Sequence, residues 1–287
     1  MTEAFFQDST VNDLVQSTIE KVDSLEEAQQ KKLLKIFKKV RLQLMDRLMT
    51  IPEGTFTEQQ MNVTLVQVNA AIEAIKRDLR TGMVDIGEVM ATKGIEDLSN
   101  EIEKMSKHFS GSVTPINMRA ILAATNPNAF LLNKYQASID AYGEGLRSQI
   151  TSNIVNSLVL RETSERTVGR LVADVGRYFM GEEWKLNRIV RTEMHNVYNY
   201  SKMVSMVEVK KDTIPDIKKA LMHPMDNRTG EDSIKLAKMN PVVDIDKPFR
   251  FKWKGQERVF QFPPDRPNDR SILVPYREEW GKQASSF

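Results

Sequence analysis

The chain has 287 residues, enough for about two domains by the usual length prior. Hydrophobic residues make up 40% and charged residues 28%, the balance of a folded globular chain, and only 13 glycines and 11 prolines interrupt it, so long helices are permitted. The absence of cysteine excludes a disulfide framework, a thiolate zinc site and a cysteine nucleophile, and 41 basic against 39 acidic residues lack the excess of a dedicated DNA-binding domain.

The opening residues, Met1 to Asp8, carry no basic stretch ahead of an apolar run, so no secretory leader is expected. No segment approaches the roughly 18 apolar residues of a membrane span. Val11, Leu14, Val15, Thr18, Ile19, Val22 and Leu25 fall at helical spacing, and Leu33, Ile36, Phe37, Val40, Leu44 and Leu48 extend the stripe. Ile51-Pro52-Glu53-Gly54 breaks it. Thr57 and Gln60 then form a capping box, in which each side chain satisfies a free N–H of the new helix end. Met61, Leu65, Val68, Ile72, Ile75 and Leu79 follow at alternating spacings of four and three, a seam that fits either a coiled coil or an ordinary bundle. Ile95, Leu98, Ile102, Met105 and Phe109 continue the pattern until Ser110-Gly111-Ser112.

Pro115 and Asn126-Pro127-Asn128 mark further helix starts. Tyr135, Ile139, Tyr142, Leu146, Ile150 and Ile154 make another stripe. Thr163 to Thr167 reads as a cap before Val168, Leu171, Val172, Val175 and Phe179. A helix from about Glu182 to Val207 buries Leu186, Ile189, Val190, Val197 and Val204. Beyond it, Phe249-Arg250-Phe251-Lys252-Trp253 and Val259-Phe260-Gln261-Phe262 alternate around Lys254-Gly255-Gln256, the pattern of a β-hairpin with one buried face. Pro263, Pro264, Pro267 and Pro275 predict an extended, irregular tail. The expected fold is mainly α with a small C-terminal α+β module: long helices over 1–110, bundled or coiled-coil-like, a helical middle region over 111–180, and the module over 181–287.

Three blocks in this last segment carry a family resemblance. Arg188-Ile189-Val190-Arg191-Thr192-Glu193 is followed by Asn199; His223-Pro224-Met225-Asp226-Asn227-Arg228-Thr229-Gly230 forms a second block; Asp246-Lys247-Pro248-Phe249, the hairpin, and Pro263-Pro264-Asp265-Arg266-Pro267-Asn268 form the third. In order and spacing, from about Gly181 to Tyr276, they resemble the phage Mu F-like minor head protein family, also described as head morphogenesis proteins. The resemblance implies a minor capsid protein of a tailed phage, made in the host cytoplasm and carried in the virion at the capsid interior or portal vertex. It implies docking on the portal protein, a role in assembly or DNA packaging and delivery, and no cofactor. The family's usual histidine four residues after the Thr of Arg-Thr is Ser233 here, and its Cys-Arg-Cys is Asp269-Arg270-Ser271. The residues of that pattern best suited to zinc are therefore absent.

Arg191, Thr192, Glu193, Asp226 and Arg228 are expected to form a polar brace, since guanidinium pairs bidentately with carboxylate. The competing reading makes Glu193 a general base. Glu193 and His195, two apart, point away from one another on a helix and cannot share a metal; His108, His195 and His223 are expected to be hydrogen-bonded rather than ligating. Lys31, Lys35, Lys38 and Lys39, with Lys32 and Arg41, form either a solvated helix face or a DNA-facing one. Phe249, Phe251, Trp253, Phe260 and Phe262 are either the core of the module or a partner interface. Self-association through the N-terminal helices is a further possibility. Two rivals remain, a scaffolding-like coiled-coil protein and a virion-carried nucleic-acid-processing enzyme. The enzyme would need Mg²⁺-binding carboxylates such as Asp244, Asp246, Asp265 and Asp269.

Overall fold

A computed structural model describes residues 9–51, 57–110, 116, 127–224, 226–239 and 241–281. In chain order the elements are α1 (Ser9–Met49), α2 (Glu58–Ser110), α3 (Pro127–Val159), α4 (Ser164–Asp212), β1 (Lys218–Met222), α5 (Glu231–Lys238), β2 (Val242–Asp244), β3 (Phe249–Trp253), β4 (Gln256–Phe260), β5 (Ile272–Tyr276) and α6 (Glu278–Gly281). The protein is mainly α with a small C-terminal α+β region. No described helix is long and apolar enough to cross a membrane.

Two compact units gather non-consecutive segments: 1–27, 86–130 and 191–287 in one, 28–85 and 131–190 in the other. A division into consecutive segments cannot express this, and its expected boundary at 180/181 falls inside α4. That helix runs on through Gly176 and Gly181, because a glycine costs a helix interior only about 1 kcal/mol against alanine.

The second unit is a bundle of four helical segments. Leu33, Phe37 and Leu44 of α1, Val68, Ile72 and Ile75 of α2, Leu146 and Ile150 of α3, and Leu171, Val175 and Phe179 of α4 are all buried. Phe37 lies at its centre, with ring centroids 5.5 Å from Tyr142 and 4.7 Å from Phe179. The seam on α2 is therefore covered by the chain's own helices, leaving Val68, Ile72, Ile75 and Leu79 unavailable for self-association. The capping box forms as expected: Gln60 N donates to Thr57 Oγ1 at 3.2 Å and Thr57 N to Gln60 Oε1 at 2.8 Å. Pro52 to Phe56, Gly111, Ser112, Pro115, Asn126 and the side chains of Tyr135 and Leu186 lie outside what is described.

The first unit packs the start of α1 (Val11, Val15, Ile19, Val22), the end of α2 (Ile95, Leu98, Ile102) and the end of α4 (Met194, Val197, Tyr198, Met206), all buried. Its three-stranded antiparallel sheet has the order β2-β1-β5. The sequence predicts no strand at β1 and an irregular tail at β5. Pro275 nevertheless pairs with Lys219, and it is tolerated because β5 is an edge strand, where one side needs no amide donor. The hairpin β3–β4 forms in the register Phe249↔Phe260 to Trp253↔Gln256. Lys254 and Gly255 turn it with φ of 47° and 81°, the two positive values that a tight hairpin turn matched to strand twist requires.

Candidate functional site

α4 presents Arg191, His195 and Asn199 at i, i+4 and i+8, a single line along the helix. Asn199 is fully buried and joins α4 to the last strand. Its Nδ2 donates to the Ser271 carbonyl at 3.0 Å, and its Oδ1 accepts from the Leu273 N–H at 2.7 Å. Two turns earlier in the helix, Thr192 Oγ1 accepts from Asn268 N at 3.1 Å. Asp226 in the turn before α5 accepts from Arg270 Nη2 at 2.6 Å and from Arg228 N at 3.0 Å. The three blocks that carry the resemblance thus touch one another through side chains.

The expected brace forms with different partners. Arg191 pairs with Glu26 of α1 through its Nε at 2.5 Å, while Glu193 accepts from Asn196 Nδ2 at 2.9 Å. Asp23, also on α1, receives Arg270 Nη1 at 2.8 Å and Arg228 Nη2 at 3.2 Å. The α4 helix and the Asp226–Arg228 turn are each fastened to α1. Periodicity missed Asp23 and Glu26, yet a signal existed: Val15, Ile19, Val22 and Glu26 keep the four-three alternation, so Glu26 occupies a core position of the stripe. Leu25, expected there, is only half-buried, and Glu26 is buried in its place.

The network is close to electroneutral, with the carboxylates of Asp23, Glu26 and Asp226 facing the guanidiniums of Arg191, Arg228 and Arg270. Burial alone would raise the Glu26 carboxyl. The hydrogen bonds and charges of His195 and Arg191 outweigh it and hold the carboxyl below its usual range. Asp226 is held far below the ordinary carboxylate range, chiefly by its hydrogen bond from Arg270. Among the described residues, Asp23, Glu26 and His195 form one group with metal-ligating atoms within 4.8 Å of one another. His195 Nε2 lies 3.0 Å from Glu26 Oε2. A divalent ion there would have to displace Arg191, Arg228 and Arg270 from the carboxylates it needs, so the donor set suits a salt-bridged brace better than a metal.

Beside this network lies a pocket of about 250 Å³, lined by His223, Asp232, Ser233, Arg266, Asp269 and Ser271 among others. It brings Ser233, Asp269 and Ser271 together around His223. Ser271 Oγ donates to Asp269 Oδ1, so the 2.5 Å contact with His223 is an Nδ1–H donating to the same hydroxyl oxygen. This is the reverse of a nucleophilic relay, in which the imidazole must accept the hydroxyl proton. Ser271 is also fully buried, and burial pushes the imidazole of His223 down to about 4. Arg258 and Arg266 meet Asp232 at 2.9 and 2.5 Å, which ties the hairpin and the proline-rich segment to the first turn of α5.

The chain matches no family model, and neither curated proteins nor solved structures provide a match.

The other candidate residues separate clearly. Phe249 and Phe251 are core, Phe249 lying 5.5 Å from Phe260 and beneath the buried Lys219 ammonium at 5.2 Å. Trp253, Phe260 and Phe262 are half-buried, so of the five aromatic candidates these three could contribute to a partner surface, beside the exposed Val259. Lys31, Lys35, Lys38 and Lys39 are exposed. Of the carboxylates considered for Mg²⁺, Asp265 and Asp269 are neighbours, the Asp265 N–H donating to Asp269 Oδ2 at 3.2 Å, with burial and the Asp269 charge raising the Asp265 carboxyl. Asp265 also pairs with Arg258 at 3.1 Å and Asp269 holds Ser271, while Asp246 meets Lys210 at 3.9 Å.

Proposed function

We propose that this chain is a minor head protein of a tailed phage, a non-enzymatic virion component that docks on the portal protein during head assembly. The observation that carries the reading is the meeting of the three resembling blocks: Asn199 with Ser271 and Leu273, Thr192 with Asn268, and Asp226 with Arg270. Segments chosen from sequence alone, across roughly ninety residues, share one hydrogen-bonded module. A non-enzymatic role is supported by how its polar groups are used. Ser271 and Asn199 are fully buried, and Arg191, Asp226, Arg228, Asp265 and Arg266 are each engaged by oppositely charged side chains of the same unit. Such a module holds shape and presents a surface.

The test is co-expression with the portal protein of the same genome. A tagged portal should capture the chain, and purified heads should contain it. Failure of capture together with absence from heads overturns the reading. Cleavage of DNA by the purified protein with Mg²⁺ would restore the enzymatic alternative.

A further inference from the structure

Between Ala28 and Met45 the chain has six Lys/Arg and no Asp or Glu. All of it lies in α1 within the bundle unit. Lys31, Lys35, Lys38 and Lys39 are exposed and span about 12 Å along one side of the helix, at 1.5 Å per residue. None of the four has an ion-pair partner among the described residues. Neighbouring Lys32 does have one, Asp85 at 3.9 Å.

The rest of this unit is arranged differently. Arg147 pairs with Glu144, Arg177 with Asp174, Arg166 with Glu162 and Lys76 with Glu73, all at i,i+3 or i,i+4. Opposite charges at these spacings support a helix and like charges weaken it. On α1 the like-charged pairs Lys31–Lys35 and Lys35–Lys39 stand instead. Across the unit, 18 Lys/Arg face 13 Asp/Glu, whereas the other unit has 23 against 26. Glu73, Asp140, Glu144, Glu162 and Asp174 are engaged by other cations of the bundle, and none of them pairs with the lysine row.

We infer that this lysine row is a binding face for the backbone of double-stranded DNA. Duplex DNA presents about one negative charge per 1.7 Å of axis, so phosphates are within reach along the whole length of the row. Lysine is a mobile point charge suited to phosphate, whereas base readout favours the forked guanidinium of arginine. The row carries no aromatic side chain for bases to stack on, which disfavours single strands. The contact is sequence-independent. It rests on the proposed reading only for the source of the DNA, a packaged genome.

The experiment titrates the full chain against a mixed-sequence 30-base-pair duplex by fluorescence anisotropy. Four phosphate contacts give a slope of about −3.6 for log affinity against log salt, a loss of roughly 100-fold between 50 and 200 mM. Replacing Lys31, Lys35, Lys38 and Lys39 by Gln should flatten the slope, and the corresponding Arg replacements should restore it. The side chains are exposed, so neither variant should melt below the wild type, and the Gln variant, relieved of two like-charged pairs, should melt at or slightly above it. No duplex binding at 50 mM salt, an unchanged slope in the Gln variant, or tighter binding to polyglutamate or to a single strand overturns the inference. Portal capture by the Gln variant separates the two proposals. Capture without duplex binding by the wild type removes only the DNA face, and duplex binding without capture removes only the docking reading.

Discussion

Glu26 and His195, 169 positions apart, meet at 3.0 Å in the buried interior of one unit. The same carboxylate receives Arg191 Nε at 2.5 Å, so one acidic residue of α1 holds two consecutive turns of α4. Glu26 is 2% exposed, whereas the Arg191 side chain is 31% exposed. Glu26→Gln leaves a partly buried guanidinium without its counter-charge. Full burial would make that cost about 3–5 kcal/mol, and solvent access to Arg191 reduces it to about 2–3 kcal/mol. Glu193→Gln, at the position expected from sequence to anchor the brace, should cost less than about 1 kcal/mol. Chemical denaturation of the two variants checks the order; equal losses would return the anchoring role to Glu193.

Gly94 sets how closely α2 approaches α4. A Cβ added there would lie 2.5 Å from the Tyr198 carbonyl oxygen, a backbone atom that cannot rotate away. Close by, the Tyr198 hydroxyl meets Asp97 Oδ2 at 3.0 Å, and Lys202 holds both Glu101 oxygens at 2.7 and 2.8 Å, with all four side chains buried. Gly94→Ala should cost about 1–3 kcal/mol by forcing the helices apart. Gly176→Ala, where nothing lies within 4 Å of the added atom, should be neutral or stabilise by up to about 1 kcal/mol. Thermal midpoints of both variants test this pair, and a stable Gly94→Ala protein would show that the contact is not tight.

The long helices were legible because burial follows a strict period. Leu33, Phe37, Val40 and Leu44 on α1, and Val68, Ile72, Ile75 and Leu79 on α2, belong to the predicted stripes and to the observed core, while Ile36, Met61 and Leu65 of the same stripes are half-buried. The hairpin was legible for a similar reason, as period-two aromatics around Lys254-Gly255. Strand β1 was not. Lys218-Lys219 reads as solvent-exposed, yet Lys219 is fully buried, its ammonium donating to the Gln261 carbonyl at 2.8 Å and its charged form disfavoured down to a pKa of about 8 by burial. At the polar site the residue types were recognised and their partners were not. Arg191 and Arg228 could be chosen from one motif, but Asp23 and Glu26 lie on a helix some 165 residues earlier than Arg191, and no local pattern links them.

The α2 seam makes a direct prediction for the bundle. Val68 is 1% exposed, and Val68→Asp puts an unpaired carboxylate into that core. The cost should be on the order of 4 kcal/mol, with the new carboxyl neutralising where it can. Val66→Asp, two positions away at a site 69% exposed, should change stability by less than about 0.5 kcal/mol. Urea unfolding of the two variants measures the contrast, and a Val68→Asp protein as stable as wild type would remove the seam from the core.

His223 makes the stability of its unit depend on pH. Burial lowers its pKa from an ordinary 6.5 to about 4, so between these values the unfolded chain binds a proton that the folded chain refuses. Stability from this group is complete above pH 6.5 and is lost as pH falls toward 4, by on the order of 3 kcal/mol for a shift of this size. Glu101 acts in the opposite sense. Burial raises its pKa from 4.5 to about 7, so the folded state takes up a proton first and gains stability as pH falls through the same window. The wild-type profile is therefore flattened by cancellation, and the histidine is seen only by difference. His223→Gln retains a hydrogen-bonding side chain opposite Ser271 and removes the titration. Unfolding free energies of wild type and variant, measured at half-unit steps from pH 7.5 to 4, should diverge. The wild type should lose ground to the variant progressively below pH 6.5. A constant difference across that range would mean that His223 titrates normally, and so is not sealed from water as its burial requires.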